Sequence, residues 1–161
     1  MKMIELNFTL EDTKMLSKVS ITKPNKIDEE LTLIIDCGCS MTTMTPQLFQ
    51  RLGFPKKDES PITIYGINSE EKGFSTLIPS FKLGAVELGE IRVAVANMRP
   101  EYQNSILLGM NILGWFDFGW QMRTKRIYMY PRNFADANYI QEGFRLKNPK
   151  TKLLAAEVDD V

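Results

Sequence analysis

Histidine is absent from all 161 residues. That absence removes Ser-His-Asp triads, Cys-His pairs, imidazole general bases and every zinc site that needs a histidine ligand. Hydrolytic chemistry, if present, falls to carboxylates. Net charge is absent as well, because 20 basic residues cancel 20 acidic ones. With no surplus of either sign, neither nucleic acid nor an anionic membrane is expected as a partner. Cysteine is scarce: Cys37 and Cys39, two positions apart, cannot staple an ordinary disulfide framework, which suits a reducing compartment. No run of about 18 apolar residues occurs, as a membrane-crossing helix would require. Lys2, Glu5 and Asn7 also interrupt the start of the chain, where a signal peptide needs a continuous apolar stretch. A cytoplasmic protein is the expectation.

What the chain does contain is period-two patterning over a length that suits one domain, or a domain of roughly 100 to 130 residues with an appendage. Ile4, Leu6, Phe8 and Leu10 alternate with more polar neighbours, and Ile91, Val93 and Val95 alternate with Arg92, Ala94 and Ala96. Both read as half-buried strands. Leu31 to Ile35 is a nearly unbroken apolar run, the pattern of a core strand, and it delivers Asp36 into a loop. Thr45 as N-cap, Pro46 in the first turn and Gly53 as the stop predict a short helix, and a second is expected from Met110 to about Trp115. The stretches 62–67 and 74–83 flank the polar segment 68–73, which predicts a hairpin with that segment as its exposed tip. A last strand pair is expected on either side of Arg123-Thr124-Lys125. The aromatic cluster Trp115, Phe116, Phe118 and Trp120 reads as core or subunit interface. Residues 132–161 lose periodicity and are expected to form a flexible C-terminal tail on a domain spanning 1–131.

Two segments carry chemistry. One is Asp36-Cys37-Gly38-Cys39-Ser40-Met41-Thr42-Thr43-Met44, after the core strand; the other is Ile106-Leu107-Leu108-Gly109-Met110-Asn111, about 70 residues later. Leu33-Ile34-Ile35-Asp36-Cys37-Gly38 and Ile106-Leu107-Leu108-Gly109 are both apolar runs that close on a glycine shortly before a helix, an internal echo that suggests a pseudo-twofold domain. Asp-x-Gly by itself also fits a carboxylate that caps a turn. Together, however, the two segments and the hairpin between them resemble the retropepsin-like aspartic proteases over residues 3–131. The resemblance implies an all-β, closed-barrel fold of the retropepsin type with one or two short helices.

It also implies function. Peptide hydrolysis by carboxylates needs two of them close enough to share a proton. A chain with one Asp-x-Gly would therefore act as a homodimer, with Asp36 from each subunit activating water. In this reading Cys37, Gly38 and Cys39 form the active-site loop, and Thr43 and Leu107 line the cleft. Gly66, Ile67, Asn68 and Gly73 belong to a flap over an extended, apolar-flanked peptide. No cofactor or metal is implied. The sequence departs from the family at Cys37, where Thr or Ser is usual and its hydroxyl bonds across the dimer. A thiol is a weak donor and acceptor, so reduced activity is expected. Two alternatives follow from that position: a noncatalytic dimeric peptide-binding module that keeps the cleft, and a thiol redox or metal switch at Cys37 and Cys39.

Overall fold

Strands dominate the computed structural model, which describes residues 3–65, 68–132 and 144–146. In chain order the elements are β1 (Ile4–Asn7), β2 (Thr9–Glu11), β3 (Lys14–Thr22), β4 (Asp28–Ile35) and β5 (Thr43–Met44). Helix α1 (Pro46–Leu52) follows, then β6 (Ser60–Tyr65), β7 (Glu70–Ile78), β8 (Phe81–Leu83) and β9 (Val86–Val95). After a 3-10 turn at Pro100–Tyr102 come β10 (Ser105–Leu108), α2 (Met110–Leu113), β11 (Phe116–Gln121), β12 (Arg126–Pro131) and β13 (Phe144–Leu146). No helix among the described residues is long and apolar enough to cross a membrane.

Six strands close a barrel. Going round it, β3 pairs antiparallel with β4, β4 parallel with β10, β10 antiparallel with β5, and β5 parallel with β9. Antiparallel β8 then joins β9 back to β3 and completes the ring. Alternation sends Leu31 and Leu33 of β4, Val19 and Ile21 of β3, and Ile106 and Leu108 of β10 inward, each 5% exposed or less. Phe81, Leu83, Leu88 and Ile91 fill the same interior with no exposed surface.

Leu10 departs from the alternation expected of Ile4 to Leu10. The chain changes sheets at Phe8, whose amide donates to Lys125 O, so β1 pairs with β12 whereas β2 pairs with β3. The alternation restarts, and Leu10 is left 44% exposed. The central hairpin also differs from its expected form. Tyr65 pairs with Glu70 and Ile62 with Gly73, so Glu70–Gly73, expected at the tip, is the first part of β7. A ribbon open to solvent on one face accepts Glu and Lys as readily as apolar residues, so polarity alone misplaces the turn.

Helix α1 follows its sequence signals. Thr45 Oγ1 accepts the Leu48 amide, Pro46 opens the first turn, and Gly53 closes the helix at φ 79°. Leu48, Phe49 and Leu52 are its buried face, with Phe49 meeting the Phe74 ring edge-on at 5.6 Å. The second helix is one turn long and ends at Leu113, short of Trp115. Within the stretch expected as tail, Phe144–Leu146 runs antiparallel to β9, with Phe144 opposite Ile91 and Leu146 opposite Leu88.

Candidate active site

The echoed segments are neighbours in space. Parallel pairing of β4 and β10 sets Leu33 beside Ile106, Ile34 beside Leu107 and Ile35 beside Leu108. The Asp36 amide donates to Leu108 O at 3.1 Å and carries that ladder one residue further. Asp36 therefore leaves the barrel at the carboxyl ends of two parallel strands, half-buried. Its Oδ1 accepts the Gly38 amide at 3.0 Å, and its carbonyl accepts the Cys39 amide at 3.2 Å, which folds residues 36–39 into a tight turn. A Cβ on Gly38 would press on Asp36 Oδ1 at 3.3 Å, so glycine leaves the carboxylate room.

The second segment braces this turn. A Cβ on Gly109 would fall 2.5 Å from the Met41 carbonyl carbon and 2.8 Å from Thr42 N, so only glycine permits the crossing. Immediately after it, the Met110 amide donates to Cys39 O and the Asn111 amide to Ser40 O, at 2.8 and 3.0 Å. The free amides at the start of α2 thus find their acceptors in the Asp36 loop. Asn111 Oδ1 accepts both the Thr42 amide and the Thr42 hydroxyl, while Asn111 Nδ2 donates to Arg92 O. Thr42 Oγ1 in turn accepts the Gly109 amide at 3.1 Å. Thr42 and Asn111 lie in the two segments, but nothing in the sequence assigns them this contact. Their signal was position alone, since Asn111 stands two residues past the glycine of the second segment.

On the outer face of the barrel, registered pairs form a row: Leu16 opposite Ile34, Ile34 beside Leu107, and Leu107 opposite Thr43. Asp36 follows Ile34 by two residues, so alternation puts its side chain on this same face. Leu107, expected at the cleft, is thereby brought beside the carboxylate's strand, and Thr43, also expected there, lies one strand further along the row. Cys37 is exposed. Cys39 is half-buried, its Sγ donating to Met41 O at 2.9 Å and standing 3.8 Å from Thr43 Oγ1. Among the described residues no group of three or more His, Cys, Asp or Glu converges as a metal site. Gly66 and Ile67 lie outside the described residues. Asn68 is exposed beside them, whereas Gly73 sits at the base of the ribbon, where a Cβ would meet Val95 O at 2.1 Å.

Further along the same face, Lys14 stacks over the Tyr102 ring at 4.7 Å from its centroid. A hydrogen bond with the Tyr102 side chain, followed by attraction to Tyr102, Glu101 and Asp12, holds the ammonium above its ordinary pKa against an opposing desolvation cost. Neither residue stood out in the sequence, because β3 and the 3-10 turn come together only through the barrel.

The family described as "gag-polyprotein putative aspartyl protease" matches residues 25–114, which hold both segments. Among solved structures, a retropepsin-like aspartic protease from Rickettsia conorii superposes with a TM-score of 0.56 at 21% identity, covering 80% of this chain and 98% of that one. The EIAV protease in complex with the inhibitor HBY-793 superposes with a TM-score of 0.51 at 20% identity, covering 66% and 90%. No curated protein matches the chain.

Proposed function

Because this chain belongs to the gag-polyprotein aspartyl protease family and folds as a retropepsin-like barrel, we propose that it is a homodimeric aspartic endopeptidase. The observation that carries this reading is the placement of Asp36: a half-buried carboxylate at the ends of two paired parallel strands, braced by the second segment. One such carboxylate per chain makes half of an acid-base pair.

In the dimer, Asp36 and the partner's Asp36 hold one proton between them. The ionised carboxylate takes a proton from water as that water attacks the peptide carbonyl carbon. The protonated one donates to the carbonyl oxygen, and collapse of the tetrahedral intermediate returns a proton to the leaving nitrogen. Ile34, Leu107 and Thr43 offer an apolar wall for alternate side chains of an extended peptide. The ribbon carrying Gly66, Ile67, Asn68 and Gly73 would cover it and exclude water. The outer edge of β11 pairs with no strand among the described residues, and Trp120 beside it is 54% exposed. That edge suits the partner subunit.

Cys37 favours a second reading, a dimeric peptide-binding module without turnover, since an exposed thiol replaces the hydroxyl expected to tie the two loops. Peptide-library cleavage between acid and neutral pH, with Asp36→Asn as control and sedimentation in parallel, separates the readings. The protease reading expects a dimer whose cleavage disappears in the folded Asn variant. Cleavage that survives the substitution, or cleavage by a strict monomer, overturns it.

A further inference from the structure

A cavity of about 460 Å³ opens on the outer barrel face that carries Asp36. Its floor is Leu16, Thr32 and Ile34, which registered pairing and alternation place on that face. One wall is the β2–β3 hairpin, where Glu11 pairs with Lys14 across a two-residue turn whose Asp12 and Thr13 both have positive φ, 48° and 67°. A second wall is the 3-10 turn with Glu101 and Tyr102, which meets the first where Lys14 lies over the Tyr102 ring.

We propose that this cavity receives a cationic side chain, arginine or lysine, from an extended peptide whose backbone crosses Asp36. The inference rests on the protease reading for its ligand and adds a charge preference to it. Reach comes first. Ile34 precedes Asp36 by two residues, about 6.6 Å along a strand, and side chains two apart on an extended ligand repeat at the same spacing. A peptide centred on Asp36 therefore presents a side chain to the cavity within a few residues of the scissile bond.

Charge comes second. Glu11, Asp12 and Glu101 contribute three carboxylates to the walls, and Lys14 contributes one ammonium, which is held over the Tyr102 ring. Two negative charges are left in surplus. A guest carboxylate would meet that surplus with like charge, and an apolar guest would leave it unanswered. An arginine or lysine can lay its methylene stem along Leu16 and Ile34 and present its head to the walls. Shape and charge thus ask for the same amphipathic side chain.

The test uses the full chain and peptides that differ at one position near the cleaved bond, carrying arginine, norleucine or glutamate. At one position arginine should exceed norleucine by about fivefold in kcat/KM, with glutamate worst. The combined Glu11→Gln, Asp12→Asn and Glu101→Gln variant should lose most of that ratio, as should Glu101→Gln alone in part, with folding followed by thermal unfolding. Binding of the same peptides to the Asp36→Asn protein, read by calorimetry, reports on the cavity without catalysis. Arginine preference in binding that the neutralised walls abolish supports the cavity assignment even if no peptide is cut. Equal binding of the three peptides, a preference for glutamate, or an arginine preference unchanged by the wall substitutions overturns it.

Discussion

Asn111 Oδ1 accepts two hydrogen bonds from Thr42, one from the backbone amide at 2.7 Å and one from the hydroxyl at 2.8 Å, across 69 positions of sequence. Thr42 has no exposed surface, so water cannot replace either bond. One amide side chain thereby ties the strand after the Asp36 loop to the helix that braces it. Replacing Asn111 with Leu orphans the buried Thr42 amide, at a cost of about 1 to 3 kcal/mol. Thermal unfolding should fall by several degrees. Asn111→Asp keeps the acceptor but sets a carboxylate oxygen against Arg92 O in place of the donated bond, so it should also lower stability, and by more at neutral pH than in acid, where protonation restores a donor.

Gly109→Ala should be destabilising although the added group is one methyl. The new carbon lies 2.5 Å from the Met41 carbonyl carbon, a backbone atom that cannot swing away. Overpacking of this kind costs about 1 to 3 kcal/mol. The Asp36 loop should shift with it, and denaturant unfolding read beside peptide turnover should show both losses.

Cys37→Thr should raise turnover several-fold without altering peptide preference. Cys37 is exposed beside the carboxylate, and the cavity and the outer row are built from other residues. A restored hydroxyl bond is worth about 0.5 to 1.5 kcal/mol, and it would act on the orientation of the two loops. Steady-state kinetics on one peptide series would settle the sign.

Asp28 and Lys82 meet at 2.8 Å on the seam where β8 closes the barrel against β3. Bonds from Lys82 and then Thr22 hold the Asp28 carboxyl below its ordinary value of 3.8. A lowered folded-state value means that its contribution is present above about pH 3.8 and is lost as pH falls through the folded-state value. Asp28→Asn should lower the melting temperature slightly at neutral pH and make no difference at the acid extreme. Melting curves against pH for both proteins give the comparison.

Removing residues 132–161 takes away β13, which pairs with β9 at Ile91 and Leu88. The barrel is closed without it, so the truncated chain should still fold. Its melting temperature should drop by a few degrees from the lost ladder bonds, each worth about 1 kcal/mol. Wild-type stability after truncation would mean that β13 adds nothing to the barrel.

Local physics is legible in the residues themselves. Thr45, Pro46 and Gly53 bounded α1 because capping and φ preferences act over a few positions, and Leu31 to Ile35 announced a core strand because an apolar run has few other uses. That run sets Asp36 at the strand's end, and the second apolar run, through Leu107 to Gly109, pairs beside it. Leu10, the hairpin register and β13 were not legible, since each depends on which strand lies alongside, and polar or weakly patterned segments pair by backbone bonds that carry no side-chain signature. Thr42 with Asn111 and Lys14 with Tyr102 are side-chain contacts between segments far apart in sequence, which only the fold brings together. Sequence by itself determined the apolar content of the barrel strands and left carboxylates as the hydrolytic groups on offer, because hydrophobic patterning and the absence of histidine are properties of the chain alone. Only the tertiary structure decided what braces Asp36 and what charge surrounds the neighbouring cavity, because both arise where distant strands are brought within hydrogen-bonding distance.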